Sequence, residues 1–216
     1  NAKKKTFKHR SSTDGFGGNF REQWKNDVDP CDIPQPIEAY GKSKLEAENV
    51  AEECFLHSKK ALITIRPQPI LGEGRLGILG ILFSWITRGQ NIYLIGGGRR
   101  PFQFLHIRDL LSAYDILLQR KKIGTWALGT NSYNSLRKTL TDFLSLQQYQ
   151  SSIVAIPTKP AIFGIHILHL LKLVSIQPFH YLTSHRAGHI DMKRTMQELD
   201  WQPQYSNLDM FNENFE

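Results

Sequence analysis

The sequence predicts an α/β fold built on a parallel sheet. Short runs of β-branched and aliphatic residues alternate with segments of helical character along the chain. Their connections are mostly short. No internal repeat or low-complexity tract interrupts the alternation.

Taken in order, Lys5–Ser12 reads as a short strand, and the turn-rich Thr13–Gly18 (TDGFGG) follows it. Asp29, Pro30, Pro34 and Pro36 punctuate the loop beyond, because proline interrupts regular structure. A helix is expected over about Ile37–Ser58, a run of good helix formers with no glycine after Gly41. Leu45, Val50, Cys54 and Phe55 give it an imperfect apolar stripe, and Glu46, Glu48, Glu52 and Glu53 are expected to face water. Ala61–Arg66 (ALITIR) reads as a buried strand that Pro67 and Pro69 end. Leu79–Arg88 reads as a helix stopped by Gly89, Asn91–Ile95 as a strand, Gly96–Gly98 as a turn and Phe102–Ile107 as another strand. Asp109–Gln119 should be helical, with Asp109 capping or charging its start. Thr125–Leu128 is a strand, Ser135–Leu146 a helix with Ser135 as its N-cap, and Ile153–Ile156 a strand. An apolar helix from about Ala161 and a last helix at Asp191–Leu199 complete the reading.

Composition bounds the function. The chain has 216 residues, 40% of them hydrophobic and 22% charged, which suits a soluble globular protein. Its net charge is +7, with basic clusters at Lys3–Arg10, Arg99–Arg100 and Arg120–Lys122. Nothing in the sequence places them on one face with interleaved aromatics, so a solvated surface is expected rather than a nucleic-acid partner. Basic groups near a pocket suit an anionic cofactor or substrate instead. Cys31 and Cys54 form no CxxC and no disulfide framework, so a reducing cytoplasm is expected. No secretory signal is visible, and the opening Asn reads as that of a fragment or a processed chain. The apolar stretch Ala161–Val174 contains His166, His169 and Lys172. It falls short of the roughly 20 apolar residues of a membrane span, so a buried helix is expected, with a helix lying on a membrane as the alternative. The five histidines from His166 to His189 are read as packing or surface residues rather than a metal site, since no Cys or HExxH accompanies them.

Tyr40-Gly41-Lys42-Ser43-Lys44 is the informative segment. Tyr40 and Lys44 lie four apart at a helix start, so both project from one face. A free tyrosine, with a pKa of about 10, is a poor base at neutral pH. A cation beside it favours the phenolate. Such a pair can exchange a proton with a hydroxyl or carbonyl.

YGKSKLEAE, with the strand and Ser-rich turn before it, resembles the motif of the extended short-chain dehydrogenase/reductases, the NAD-dependent epimerase/dehydratase family. The likeness continues through Ile65-Arg66-Pro67 to Gly72-Glu73-Gly74, through Phe104-Leu105-His106 to Asp109-Leu110, through Trp126–Gly129, and through Asp191–Arg194 to Leu199–Pro203. It implies a partial NAD(P)-binding Rossmann fold, a doubly wound parallel sheet, with a smaller C-terminal substrate lobe. The Rossmann part is expected at about 1–66 and 102–128, and the lobe at 67–101 and 129–216. The resemblance implies catalysis by Ser12, Tyr40 and Lys44, with Ser11 matching instead of Ser12 if the register slips by one. It implies cofactor contacts from Tyr40, Lys44 and Pro67, with NAD or NADP as cofactor. Substrate contacts fall to Ser12 and Thr13, with Arg99 or Arg100 as nearby substitutes for the arginine the family often has. A nucleotide sugar is the implied substrate, and a homodimer through the Tyr-Lys helix the implied assembly.

The pattern departs in three places. The family's Gly-rich first half is absent, and Gly74, Gly77 and Gly80 fall too late to replace it. Pro69 stands where sugar-nucleotide members usually have Asn, and Phe102 where they often have Arg. A hydroxysteroid-type dehydrogenase and an inactive remnant serving as an interaction module therefore stay open as alternatives.

Overall fold

The computed structural model describes residues 6–9, 39–56, 61–73, 76, 79–171 and 189–215. The chain divides into two compact units, one of Asn1–Ile70, Gln103–Asn131 and His189–Tyr205, the other of Leu71–Phe102, Ser132–Gly188 and Ser206–Glu216.

The first unit holds a parallel three-stranded sheet. Its strands are β1 (Thr6–His9), β2 (Leu62–Pro67) and β6 (Gly124–Leu128), in the order β1-β2-β6. Thr6 pairs with Leu62 on one edge of β2, and Ile63 through Pro67 pair with Gly124 through Leu128 on the other. β2 is central, so Ile63, Thr64, Ile65, Arg66 and Pro67 are all buried. That explains a near-continuous run of β-branched residues in place of an alternating one. Helix α3 (Ile107–Gln119) lays Leu110, Ala113 and Leu117 against this sheet. Helix α6 (Lys193–Leu199) adds Leu199, and Trp201 follows it into the same core.

Two segments differ from expectation in this unit. Only Leu105–His106 of the expected Phe102–Ile107 strand forms a strand, β5, which follows the equally short β3 (Ile70–Leu71) along the chain, and α3 starts two residues early. The reason is a cap: the Arg108 N–H donates to His106 Nδ1 at 3.2 Å, closing the first turn before Asp109 is reached. Asp109 is 2% exposed, and its carboxylate accepts from the Gln204 N–H at 2.9 Å and the Tyr205 N–H at 3.2 Å. It stands in the first turn of α3, where His106 and not Asp109 makes the cap, and it anchors the segment after α6. Burial raises its pKa above 3.8, against the lowering effect of those two N–H groups and of His106. The folded state therefore holds this proton more firmly than the unfolded chain does. That contribution to stability is complete below 3.8 and is lost as pH rises through the folded pKa. Asn at this position does not titrate. The melting temperature of the wild type relative to Asp109→Asn should rise as pH falls from 7 towards 4, and a constant difference would sink the assignment.

Gly129, just after β6, is set by packing. A Cβ there would meet Gln68 Cγ at 2.9 Å and Gln103 Cδ and Oε1 at 3.2 Å. Gln103 is a clamp: its Nε2 donates to the Thr130 carbonyl at 2.8 Å, and its Oε1 accepts from the Ile190 N–H at 2.9 Å. Gly129→Ala should cost about 1–3 kcal/mol by overpacking, measured as a lowered urea midpoint. Asp200, which caps the end of α6, has φ 47° and ψ 51°, the left-handed region. Glycine reaches that region without steric cost, so Asp200→Gly should raise stability by up to about 1 kcal/mol. The Arg120 contact it gives up spans 3.9 Å, with the Asp200 side chain 92% exposed, and counts for little.

The second unit pairs β4 (Ile92–Ile95) with β7 (Ile153–Ile156) in parallel. Helices α2 (Leu79–Thr87), α4 (Leu136–Leu146) and α7 (Asn207–Phe215) supply its core. Phe83, Phe143, Phe211 and Phe215 meet there in edge-on pairs, such as Phe83–Phe211 at 5.7 Å and Phe143–Phe215 at 4.9 Å. Ser135 caps α4 as expected, its side chain accepting from the Lys138 N–H. Helix α7 is not foreseen in the sequence reading, although a capping box marks it. Ser206 Oγ accepts from the Asp209 N–H at 3.1 Å, and Asp209 Oδ2 accepts from the Ser206 N–H at 2.8 Å. Helix α5 (Thr158–Leu170) overturns the expectation of a buried helix, because none of its residues is buried. Among the described residues, no helix is long and apolar enough to cross a membrane.

Candidate active site

Tyr40 and Lys44 sit in the first turns of α1 (Ala39–Leu56). Helix formation brings them together: the Lys44 ammonium lies 5.3 Å from the centroid of the Tyr40 ring. That is within range of a cation–π attraction. Tyr40 is 38% exposed and Lys44 half-buried, so the pair is accessible to a ligand. Ser43, on the same turn, donates its hydroxyl to the Tyr40 carbonyl at 2.8 Å. Gly41 is buried.

The same helical face carries a residue that the sequence reading placed in water. Glu48 continues the Tyr40–Lys44 spacing by four and is only 2% exposed. Its Oε1 accepts from Arg66 Nη2 at 2.9 Å, both side chains being nearly inaccessible. A buried carboxylate is tolerable because a guanidinium meets it. Arg66 lies on β2, next to Pro67. The ion pair thus ties the helix of Tyr40 and Lys44 to the strand end where Pro67 stands. The expected apolar stripe is also corrected, since Val50 is 53% exposed and Cys54 is exposed. The missed signal was the continued spacing by four from Tyr40 through Lys44 to Glu48.

The other expected site residues are distributed as follows. Pro67 is buried at the end of β2. Ser12 and Thr13, with the alternative Ser11, lie outside the described residues. Arg99 and Arg100 are exposed in the second unit, after the tight turn Gly96–Gly98. That turn requires glycine at Gly98, whose φ is +61° and where a Cβ would meet Leu94 Cδ1 at 2.7 Å. Of the late glycine set, Gly80 lies inside α2, where a Cβ would make only ordinary contacts with Leu76 at 3.5 and 3.8 Å. Nothing there demands the close backbone approach of a phosphate cradle. Gly74 and Gly77 lie outside the described residues.

A family model described as the NAD dependent epimerase/dehydratase family matches residues 2–129, more than half of the chain. The chain belongs to this epimerase/dehydratase family. A curated relative, the uncharacterized protein y4nG of Sinorhizobium fredii (strain NBRC 101917 / NGR234), is 32% identical over 182 residues, which cover 84% of this chain and 46% of the relative. The fold is similar to that of UDP-glucuronic acid 4-epimerase from Bacillus cereus in complex with NAD, at a TM-score of 0.74 and 14% identity, covering 97% of this chain and 59% of that one. It is likewise similar to that of dTDP-glucose 4,6-dehydratase from Bacillus anthracis in complex with NAD, at a TM-score of 0.71 and 18% identity, covering 96% of this chain and 60% of that one. This epimerase/dehydratase chain therefore spans about half the length of the curated relative and about three-fifths of these two structures.

Proposed function

We propose that this chain carries the catalytic face of an NAD(P)-dependent oxidoreductase or epimerase. Its substrate is a hydroxyl or carbonyl carbon of a nucleotide sugar. The observation that carries the reading is the accessible Tyr40–Lys44 pair, with 5.3 Å between ammonium and ring. A phenol and an ammonium on one face are donors suited to a dinucleotide's ribose hydroxyls and to a reacting substrate oxygen. Tyr40 and Lys44, with Pro67 at the neighbouring strand end, are the residues that would hold the nicotinamide half. When bound, NAD or NADP supplies hydride transfer.

Tyr40 moves the proton: its phenolate oxygen accepts from a substrate hydroxyl, and its phenol returns a proton to a carbonyl oxygen. Lys44 stabilises the phenolate by its charge. Ser12 hydrogen-bonds the reacting oxygen and, with Thr13, fixes its direction. Arg99 and Arg100 offer exposed cations to a diphosphate. Glu48 and Arg66 act as positioning residues through their ion pair. Val50 and Leu56, 53% and 80% exposed on α1, support a homodimer through the Tyr-Lys helix. Cys54 is a free, exposed thiol, which supports a reducing compartment such as the cytoplasm.

A second reading, a hydroxysteroid-type alcohol as substrate, is favoured by two positions. Pro69 offers no side-chain donor, and Phe102 is an aromatic ring where the family often has an arginine. Calorimetric titration of NAD⁺ and NADP⁺ into the purified full-length protein, followed by product analysis with UDP-glucose and with a hydroxysteroid, separates the readings. Dinucleotide binding and an epimerised or oxidised sugar support the first, and turnover of the steroid alone supports the second. A folded protein that binds neither dinucleotide overturns both and leaves an inactive interaction module.

A further inference from the structure

Helix α5 has two faces, and both are apolar. Ala161, Ile162, Ile165 and His169 are half-buried and form the inner face. Phe163, Ile167, Leu170 and Leu171 follow one another at spacings of four, three and one, and are 68%, 40%, 67% and 62% exposed. At helical periodicity they form one outward stripe, bordered by Leu168 at 39%. Five large apolar side chains exposed within nine residues are a continuous patch rather than scattered surface hydrophobes.

Charge identifies what covers it. Between Asp142 and Asp191 the chain has no acidic residue, while it carries Lys159, Lys172, Arg186 and five histidines. Lys159 and His166 fall on one flank of the outward stripe by helical spacing, and both are exposed. A second copy of the chain would bring its own Lys159 to the same flank, which is unfavourable. An anionic bilayer surface matches both features, because apolar side chains enter the acyl boundary while basic groups meet the headgroups. The helix is about 20 Å long at 1.5 Å per residue, too short to span a bilayer, so it lies in the interface plane.

We infer that α5 docks this protein on an anionic lipid surface through Phe163, Ile167, Leu170 and Leu171, with Lys159 at the headgroups. Substrate chemistry is not involved, and the inference stands apart from the role of Tyr40. The test is co-sedimentation of the full chain with phosphatidylcholine vesicles, with and without about a third of phosphatidylglycerol. Circular dichroism serves as the control of folding. Partitioning onto the anionic vesicles is expected, with at least a tenfold loss in the Phe163→Glu/Leu170→Glu variant and a smaller loss in Lys159→Glu. No sedimentation with either vesicle overturns the inference. Equal binding to both vesicles overturns the anionic assignment, and unchanged binding by the double variant overturns α5 as the site. Self-association in lipid-free buffer that the same variant abolishes would show the stripe to be a chain–chain interface and would also overturn it.

Discussion

Tyr40→Phe should lower turnover of the full-length protein by about 10²–10⁴-fold, the usual worth of a positioned acid or base. Its far-ultraviolet dichroism should be unchanged. Phenylalanine keeps the ring and so keeps the attraction between ring and Lys44 ammonium, 5.3 Å apart in the native chain. It removes only the oxygen that carries the proton. KM should move little, because the lost interaction belongs to the transition state. Lys44→Met should also lower turnover, and it should additionally weaken dinucleotide binding. A Tyr40→Phe enzyme with native kcat would remove Tyr40 from the chemistry.

Glu48→Ala should destabilise the fold by about 3–5 kcal/mol, the cost of removing one member of a buried ion pair. For a chain of this size that is a fall in melting temperature of about 10 °C. The cause is Arg66, whose side chain is 10% exposed and loses the carboxylate 2.9 Å away. Because Glu48 and Tyr40 share one helix, the variant should also lower kcat more than it raises KM. Glu48→Gln keeps an acceptor for Arg66 and should retain more of both properties. The double variant Glu48→Leu/Arg66→Leu leaves no charge behind and should recover much of the stability. A double variant no more stable than Glu48→Ala would show that the pair is not what holds α1 to β2.

Much of this architecture was legible because it is written in short-range patterns. The β-branched run before Arg66 marked β2, and Ser135 marked the start of α4. The spacing of Tyr40 and Lys44 by four is enough to put them on one helical face. Other features were decided at long range. Glu48 reads as a solvent-facing carboxylate until β2 brings Arg66 against it from 18 residues away. Asp109 reads as a residue that caps or charges a helix start, and its anchoring role is decided only when the backbone of Gln204 and Tyr205 arrives from 95 and 96 residues away. The outward stripe of α5 reads as core, because hydropathy records what a side chain prefers and not which surface is left to cover it.

By itself, then, the sequence determined most of the strand and helix order, the parallel class of sheet and the Tyr40–Lys44 face. These depend on local propensity, periodicity and spacing along one helix. The tertiary structure alone decided the burial of Glu48, the anchoring role of Asp109 and the exposure of α5. Burial of a charge or exposure of an apolar face depends on partners distant in sequence, and only folding supplies or withholds them.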